Sequence, residues 1–457
     1  MTVTLQPSRD QATAVSWRPL VAACVGTFLL LFYTTIVTIA LPSIDADLHV
    51  GFSAMQWIVD VFTVALAGLL LGMGSLSDNL GRKRVYLAGL IAFGLATLAC
   101  GLADSAAMLI AGRAVQGIAG AAMFATILPL IGLTYQGAAR AKAFAVWGTV
   151  AGVAGATGTV AGGVLAELLG WRWIFLASLP ICVVAIMLAV TSFTESPRAG
   201  NRVDVAGIVT FTLAATAFTY AVINGGEHGW TAPATLIAIA VAVVSSAAFV
   251  ITERVTPAPM VPARLFGTPA FIGVLIAAFT YYFAYAGAIP AISMWLQGPA
   301  GLNPLAASLV LASQIAVFIL VSALISQRLH GRAAGWVLGG GTVLIGVGYA
   351  TAVALLAAPN WVALMPALVI TGMGAGMVSP VFPAVAIASV PSAFGGTAGA
   401  AANSSRQLGM ALGIATCGSI YRGGSDPTVG IVTGLLFCAV LAIVGGLAAA
   451  RLLRGHT

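Results

Sequence analysis

The chain has 457 residues, 60% of them hydrophobic and only 7% charged, with a formal net charge of +7. A soluble domain carries about 25% charged residues, so this composition excludes a water-soluble protein and points to lipid as the solvent. The five cysteines, Cys24, Cys100, Cys182, Cys417 and Cys438, all fall in apolar stretches, which excludes a disulfide framework.

The polar segment Met1–Ser16 lacks a cleavable-signal pattern, so the first apolar stretch is expected to remain as an anchor. A helix of about 20 apolar residues crosses a bilayer. On that measure fourteen spans fall near 19–41, 56–77, 85–103, 107–131, 143–166, 173–193, 205–223, 233–252, 270–297, 305–326, 335–357, 361–388, 395–420 and 428–450. Span 1 ends in FYTTIVTIALP, where Tyr33 either donates a hydrogen bond into a cavity or packs as an aromatic. Span 2 opens with QWIVDVFTVALAG and carries Asp60, the one carboxylate inside these spans. Taking a carboxylate out of water disfavours its charged form. Asp60 is therefore a candidate for binding and releasing a proton; the alternative is an acid at the mouth of the span, one turn from Gln56. Between spans 2 and 3, Gly74–Arg84 reads GSLSDNLGRKR and fits G-x-L-x-D-x-x-G-R-[KR] at every position.

Span 4 contains AGRAVQGIAGAA, with Arg113 and Gln116 three apart and so on one face. An arginine inside an apolar span is expensive and marks a functional site by default, unless it snorkels to an interface. Arg113 joins Asp60 as a proton-coupling candidate, and Gln116 is a candidate for a water-filled cavity. Span 5 places Gly148, Gly152, Gly155, Gly158, Gly162 and Gly163 at three- and four-residue spacings, a smooth face that another backbone can approach. Trp171 and Trp173 fit an interfacial belt. Thr191–Gly207 is a polar linker into the two weakest spans, and Thr252–Phe266 is a proline-rich segment leading out of them. Span 9 groups Tyr281, Tyr282, Phe283 and Tyr285, followed by Trp295 and Gln297; these aromatics either line a cavity or face lipid. Ile325–Arg332, ISQRLHGR, weakly echoes the span 2–3 loop without its acid. Span 13 carries Asn403, Arg406 and Gln407 at i, i+3 and i+4, a polar patch in a glycine- and alanine-rich helix.

An even number of spans puts both termini on one side. With that side inside, its loops and tails carry fifteen of the 19 basic residues. The outer loops carry Arg172 and Arg422, and Arg113 and Arg406 fall within spans. Inner loops of membrane proteins are rich in Lys and Arg, so topology accounts for the net charge and no nucleic-acid partner is needed. His49, His228, His330 and His456 are scattered, with no Cys/His metal spacing, no P-loop and no G-x-S-x-G. No enzyme constellation is present in the sequence, and none is expected.

The Gly74–Arg84 string resembles the signature loop of the major facilitator superfamily. Together with TIV-x-IALP in span 1 and RQLGMALGIA in span 13, the whole chain resembles its fourteen-span drug:proton antiporters. The resemblance implies an all-α membrane protein of two six-helix bundles, related as parallel repeats, with two extra central helices. The units are a cytoplasmic tail at 1–18, a bundle at 19–193, a linker with two spans at 194–269, a bundle at 270–450 and a tail at 451–457. It also implies a conformational latch matching Gly74, Asp78, Gly81, Arg82, Lys83 and Arg84, in which Asp78 pairs with Arg82 and with the opposite half. Two features depart from the family. Tyr33 stands where an acid is usual, and Thr159 replaces the proline of the span 5 motif that here ends Gly162-Gly163.

The expected function is export of small amphiphilic drugs or metabolites across the cell membrane in exchange for protons. The expected form is a monomer in the lipid bilayer, with no cofactor beyond the proton gradient. Tyr33, Gln116, Tyr281, Tyr282, Tyr285, Asn403, Arg406 and Gln407 are the cavity candidates, and no metal site is expected. The in-span charges, one negative against two positive, suit neutral or anionic substrates. An uncoupled facilitator, an importer and a non-transporting membrane sensor remain as other readings.

Overall fold

A computed structural model describes residues 16–197, 203–257, 259–329, 333–391 and 394–454. Among the described residues the chain forms long helices and no strand. They are α1 (Arg18–Leu48), α2 (Gly51–Leu80), α3 (Arg82–Gly101), α4 (Ala106–Thr134), α5 (Gly137–Leu168) and α6 (Trp173–Ser192). A middle pair follows, α7 (Val205–His228) and α8 (Pro233–Val255). The chain then continues through α9 (Pro269–Gln297), α10 (Pro304–Leu329), α11 (Gly335–Leu356), α12 (Trp361–Ala388), α13 (Gly395–Gly423) and α14 (Pro427–Leu452). Thirteen of these are long and apolar enough to cross a membrane. The other is α13, as long as its neighbours at 29 residues, whose run Asn403–Gln407 lowers its apolarity. The two spans that are weakest in sequence, α7 and α8, both qualify.

Three helices are less regular than the apolar runs suggest. α6 is interrupted by a turn before Pro180, and α9 by a turn at Ala286–Ala288 before Pro290. Proline lacks the amide that continues a helix and suits its first turn, so each interruption restarts at a proline. α11 opens with a π-helical turn, Gly335–Gly339, and closes with a 3-10 turn, Thr351–Leu356.

The packing has an internal repeat. In the first half α1 lies on α5 and α6, α2 on α4, and α3 on α4 and α6. In the second half α9 lies on α13 and α14, α10 on α12, and α11 on α12 and α14. Each pair in one half therefore has its counterpart eight helices later. The halves meet through α2 with α13 and α5 with α10, which are equivalent contacts under the same shift. α7 wedges against α2 and α13, while α8 packs chiefly on α7. The proline-rich segment ties to the second half, with Val261 and Leu265 buried beside Phe271, Val390 and Ala398. Of the ISQRLHGR echo, Ile325–Leu329 close α10 and are described by their helical backbone alone; its last three residues and most of the N-terminal tail lie outside the described residues.

Hydrogen bonds between the halves concentrate toward the face opposite the termini. Ser293 donates to the Thr38 carbonyl at 3.3 Å and Gln297 to the Ile39 carbonyl at 3.0 Å. Gln56 donates to the Ala415 carbonyl at 3.1 Å, and Asn303 to Glu167 at 3.4 Å. Ser404, bonded to the Ala67 carbonyl, lies nearer mid-depth. The far face is thus the closed one.

Candidate functional site: a charged loop, a lone carboxylate and an aromatic–arginine cluster

The loop between α2 and α3 turns at Gly81, whose φ of +104° suits glycine. A Cβ there would also lie 2.6 Å from the Glu195 carboxylate. Asp78 accepts from Arg82 Nε at 2.9 Å, one helical turn apart. Glu195, just past α6, accepts from the Lys83 and Arg84 amides at 3.1 and 3.2 Å, and Ser196 Oγ accepts from the Arg82 amide at 3.0 Å. A helix start leaves its first amides without partners and favours negative charge; here Glu195 and Ser196 supply both. Lys83 Nζ donates to the Val190 carbonyl at 2.8 Å. Among the described residues Asp78 has no ion pair or hydrogen bond to the second half, and Gly74 has no close neighbour at its Cβ position. Glu195 was missed in the sequence reading. Its one signal is an acid isolated between an apolar span and a polar linker.

Arg113 and Gln116 lie inside the first half, away from the interface between halves. Arg113 donates to the Ile58 carbonyl at 2.9 Å, Gln116 Oε1 at 3.0 Å and the Tyr33 carbonyl at 3.4 Å. Its guanidinium also covers the Phe62 ring at 4.2 Å. Gln116 passes the chain on to Thr97 at 2.7 Å. Tyr33 lies outside any central cavity as well. Its hydroxyl contacts Ser178 and the Ile174 carbonyl, and its ring packs on Phe93 and Phe175. Trp171 is buried and donates to Asp47, while Trp173 is exposed as a belt residue should be.

Asp60 differs from these. It is fully buried, and neither carboxylate oxygen has a hydrogen-bond partner among the described residues. Gln56, Val64 and Ala67, at i−4, i+4 and i+7, share its face of α2, and each meets α13, at Ala415, Ala411 and Ser404. Asp60 therefore lies on the face that joins the two halves. A buried charge with no partner costs several kcal/mol, a cost that proton uptake removes.

The second half holds a separate cluster on α9, α10 and α13. Tyr281 and Tyr285 stack at 5.7 Å, Tyr282 meets Tyr281 edge-on at 5.0 Å, and Phe318 lies 6.1 Å from Tyr285. Tyr282 and Tyr285 touch the hydrophobic cores of both halves, so they sit between them. Arg406 covers the Tyr282 ring at 4.5 Å and donates weakly to its hydroxyl at 3.4 Å. Asn403 bonds back to Gly399, and Gln407 is buried with its Nε2 unpartnered. Tyr281 is also buried.

The glycine face of α5 divides. Cβ atoms on Gly158 and Gly162 would lie 2.7 Å from the Phe32 and Ile36 carbonyls of α1, and one on Gly163 would strike Ser308 of α10. Gly148 and Gly155 have open space instead, so only the outer part of the stripe serves close approach. For Gly152 the description extends to its helical backbone alone. A separate apolar groove of about 590 Å³ opens on α1, α5 and α6, lined by Trp17, Cys24, Phe28 and Val146 with Lys142 at its rim.

The model of the Major Facilitator Superfamily matches residues 23–414. The chain belongs to the major facilitator superfamily. A methylenomycin A resistance protein from Streptomyces coelicolor is 31% identical, over 98% of this chain and 94% of that protein. The cephamycin export protein CmcT of Amycolatopsis lactamdurans is 33% identical, over 95% of this chain and 94% of that protein. The multidrug efflux pump LfrA of Mycolicibacterium smegmatis is 30% identical, over 97% and 89%. Among solved structures, a POT family transporter with a bound peptide conjugate superposes with a TM-score of 0.73 at 15% identity, covering 94% of this chain and 95% of that one. A human organic anion transporter gives 0.66 at 14%, covering 94% and 99%. These two likenesses establish the fold. As a superfamily member the chain is a multi-pass membrane transporter and not an enzyme.

Proposed function

We propose that this transporter exports small amphiphilic drugs or metabolites across the cell membrane in exchange for protons. Export is supported by relatives named for resistance and export along nearly the whole chain. Proton exchange rests on one observation: Asp60 is a buried carboxylate without a partner, on the face where α2 of one half meets α13 of the other. A proton arriving there removes the cost of the charge and changes the balance between the packings the two halves can adopt. Both termini lie in the cytoplasm in this reading, so the closed far face is the outer one and the state is inward-facing. The rocking units are the bundles at 19–193 and 270–450, joined by the linker and extra pair at 194–269. The loop at Gly74–Arg84 is the latch, released from the second half in this state. The protein works as a monomer and draws on the proton gradient in place of a cofactor.

The test is reconstitution in vesicles containing a pH-sensitive dye, with an imposed proton gradient and a panel of lipophilic neutral, anionic and cationic compounds. Proton movement triggered by a compound in the wild type and lost in Asp60→Asn is the expected result. Compound flux with no proton movement would instead favour a facilitator.

A further inference from the structure

The superfamily reading leaves the chemistry of the substrate open, and Arg406 narrows it. Arg113 and Arg406 are both guanidinium groups deep within spans, yet their surroundings differ. Arg113 has two carbonyls, an amide oxygen and a ring face. Arg406 has one long hydrogen bond and one ring face, both from Tyr282, and its buried Nε has no acceptor. The ion pairs among the described residues join Arg82 to Asp78, Arg84 to Glu195 and Arg172 to Asp47; none involves Arg406. Asp60, the one carboxylate within the sequence-read spans, makes no bond to it among the described residues. One residue further along α13, Gln407 is about 1% exposed and its Nε2 also lacks an acceptor. Among the described residues, the two side-chain atoms of α13 that are both fully buried and without a partner are thus donors. Tyr282 Oη accepts from Arg406, which leaves its own hydrogen free to donate.

A donor-rich pocket in a low-dielectric setting is complemented by an acceptor-rich ligand carrying negative charge. The guanidinium fork matches a carboxylate or sulfonate with paired hydrogen bonds. Beside it, the half-buried rings of Tyr282, Tyr285 and Phe318 offer faces and edges to an apolar or aromatic body, with Tyr281 packed behind them. We propose that the site between the halves takes organic anions, with Arg406 binding the anionic group, Gln407 and Tyr282 adding donors, and the tyrosines holding the apolar body. This deepens the export reading and depends on it for direction; binding needs neither a gradient nor coupling.

Dansylglycine and its uncharged counterpart dansylglycinamide share one fluorescent body and differ in the carboxylate. Their affinities for the full-length protein are to be measured by fluorescence in detergent, with no gradient, for wild type, Arg406→Gln and Arg406→Lys. A charge-assisted contact to a guanidinium predicts that wild type prefers the acid by about 10-fold or more. Arg406→Gln should erase most of that preference while leaving the amide's affinity within about 3-fold, and Arg406→Lys should keep part of it, since lysine retains the charge without the fork. Equal binding of acid and amide to wild type overturns the proposal without requiring any variant. So does failure of dansylglycine to bind, or an undiminished preference in Arg406→Gln. Loss of proton coupling in the vesicle experiment would leave this preference unchanged, so the two readings fail separately.

Discussion

At the scale of single residues, two in-span charges that look alike in the sequence turn out to play opposite parts. Arg113 is a structural arginine whose carbonyl partners lie at residues 33 and 58, on two other helices. Arg113→Gln should take a charged donor from three acceptors. The Ile58 and Tyr33 carbonyls keep their helical bonds, so what is lost is hydrogen bonding to a charged group, about 1.5–3 kcal/mol per bond; the variant is expected to melt well below wild type in detergent, whereas Arg406→Gln should melt close to it. Equal melting of both variants would remove this distinction. Both arginines and Asp60 were legible as expensive charges in apolar runs. Which of them had found partners was not, because the partners are distant in sequence or are backbone atoms that any residue supplies. Glu195 shows the same limit. The pair Asp78–Arg82 could be read from its i, i+4 spacing, but the acid that caps α3 lies more than a hundred residues away. Glu195→Ala is expected to lower stability by about 1 kcal/mol, since the carboxylate is partly exposed and screened. A melting curve unchanged from wild type would deny it that role.

At the scale of elements, spacing showed where glycine recurs on α5 but not which glycines are used. Gly162 sits against the α1 backbone, and Gly148 faces open space. Gly162→Val should cost about 1–3 kcal/mol as an overpacked contact. Gly148→Ala should be neutral or stabilising by about 0.5–1 kcal/mol, because alanine restricts the unfolded chain and favours helix. A comparison of the two melting temperatures decides it, and equal destabilisation would contradict the division of the stripe. The apolar runs located every long helix, since length and hydrophobicity are what a bilayer demands of a span. They did not reveal the interruptions in α6 and α9. Those follow from Pro180 and Pro290, which sit within otherwise unbroken apolar runs, and in α9 from the close approach of Gly287 to Gly413. α13 was read as a long helix in spite of its polarity because Asn403, Arg406 and Gln407 fall on one face of it.

At the scale of the molecule, the repeat was nearly invisible in the sequence, where one imperfect loop echo was its only trace. It is plain in the packing, where each helix pair recurs eight helices later. Packing of this kind depends on which faces are smooth and apolar, and many sequences satisfy it, so little identity survives between the halves. If the halves rock as units, fastening the far face should stop them. Glu167 of α5 and Asn303, just before α10, meet there; the five native cysteines form no disulfide, but Cys417 and Cys438 lie 3.2 Å apart, so both are replaced by serine in the background used. A Glu167→Cys, Asn303→Cys double variant is expected to lose transport on oxidation and regain it on reduction. Transport by the oxidised form at the reduced rate would rule out opening of that face.

Coupling through Asp60 is the central claim, and the most direct measurement separates movement of substrate from its drive. Vesicles containing wild type or Asp60→Asn are loaded with a compound that triggers proton movement in the panel, and its exchange is followed both at equal pH and under a proton gradient. The account predicts that Asp60→Asn retains exchange at equal pH and no longer concentrates the compound when the gradient is applied. Gradient-driven accumulation at the wild-type level in Asp60→Asn would contradict it and place the coupling proton on another group.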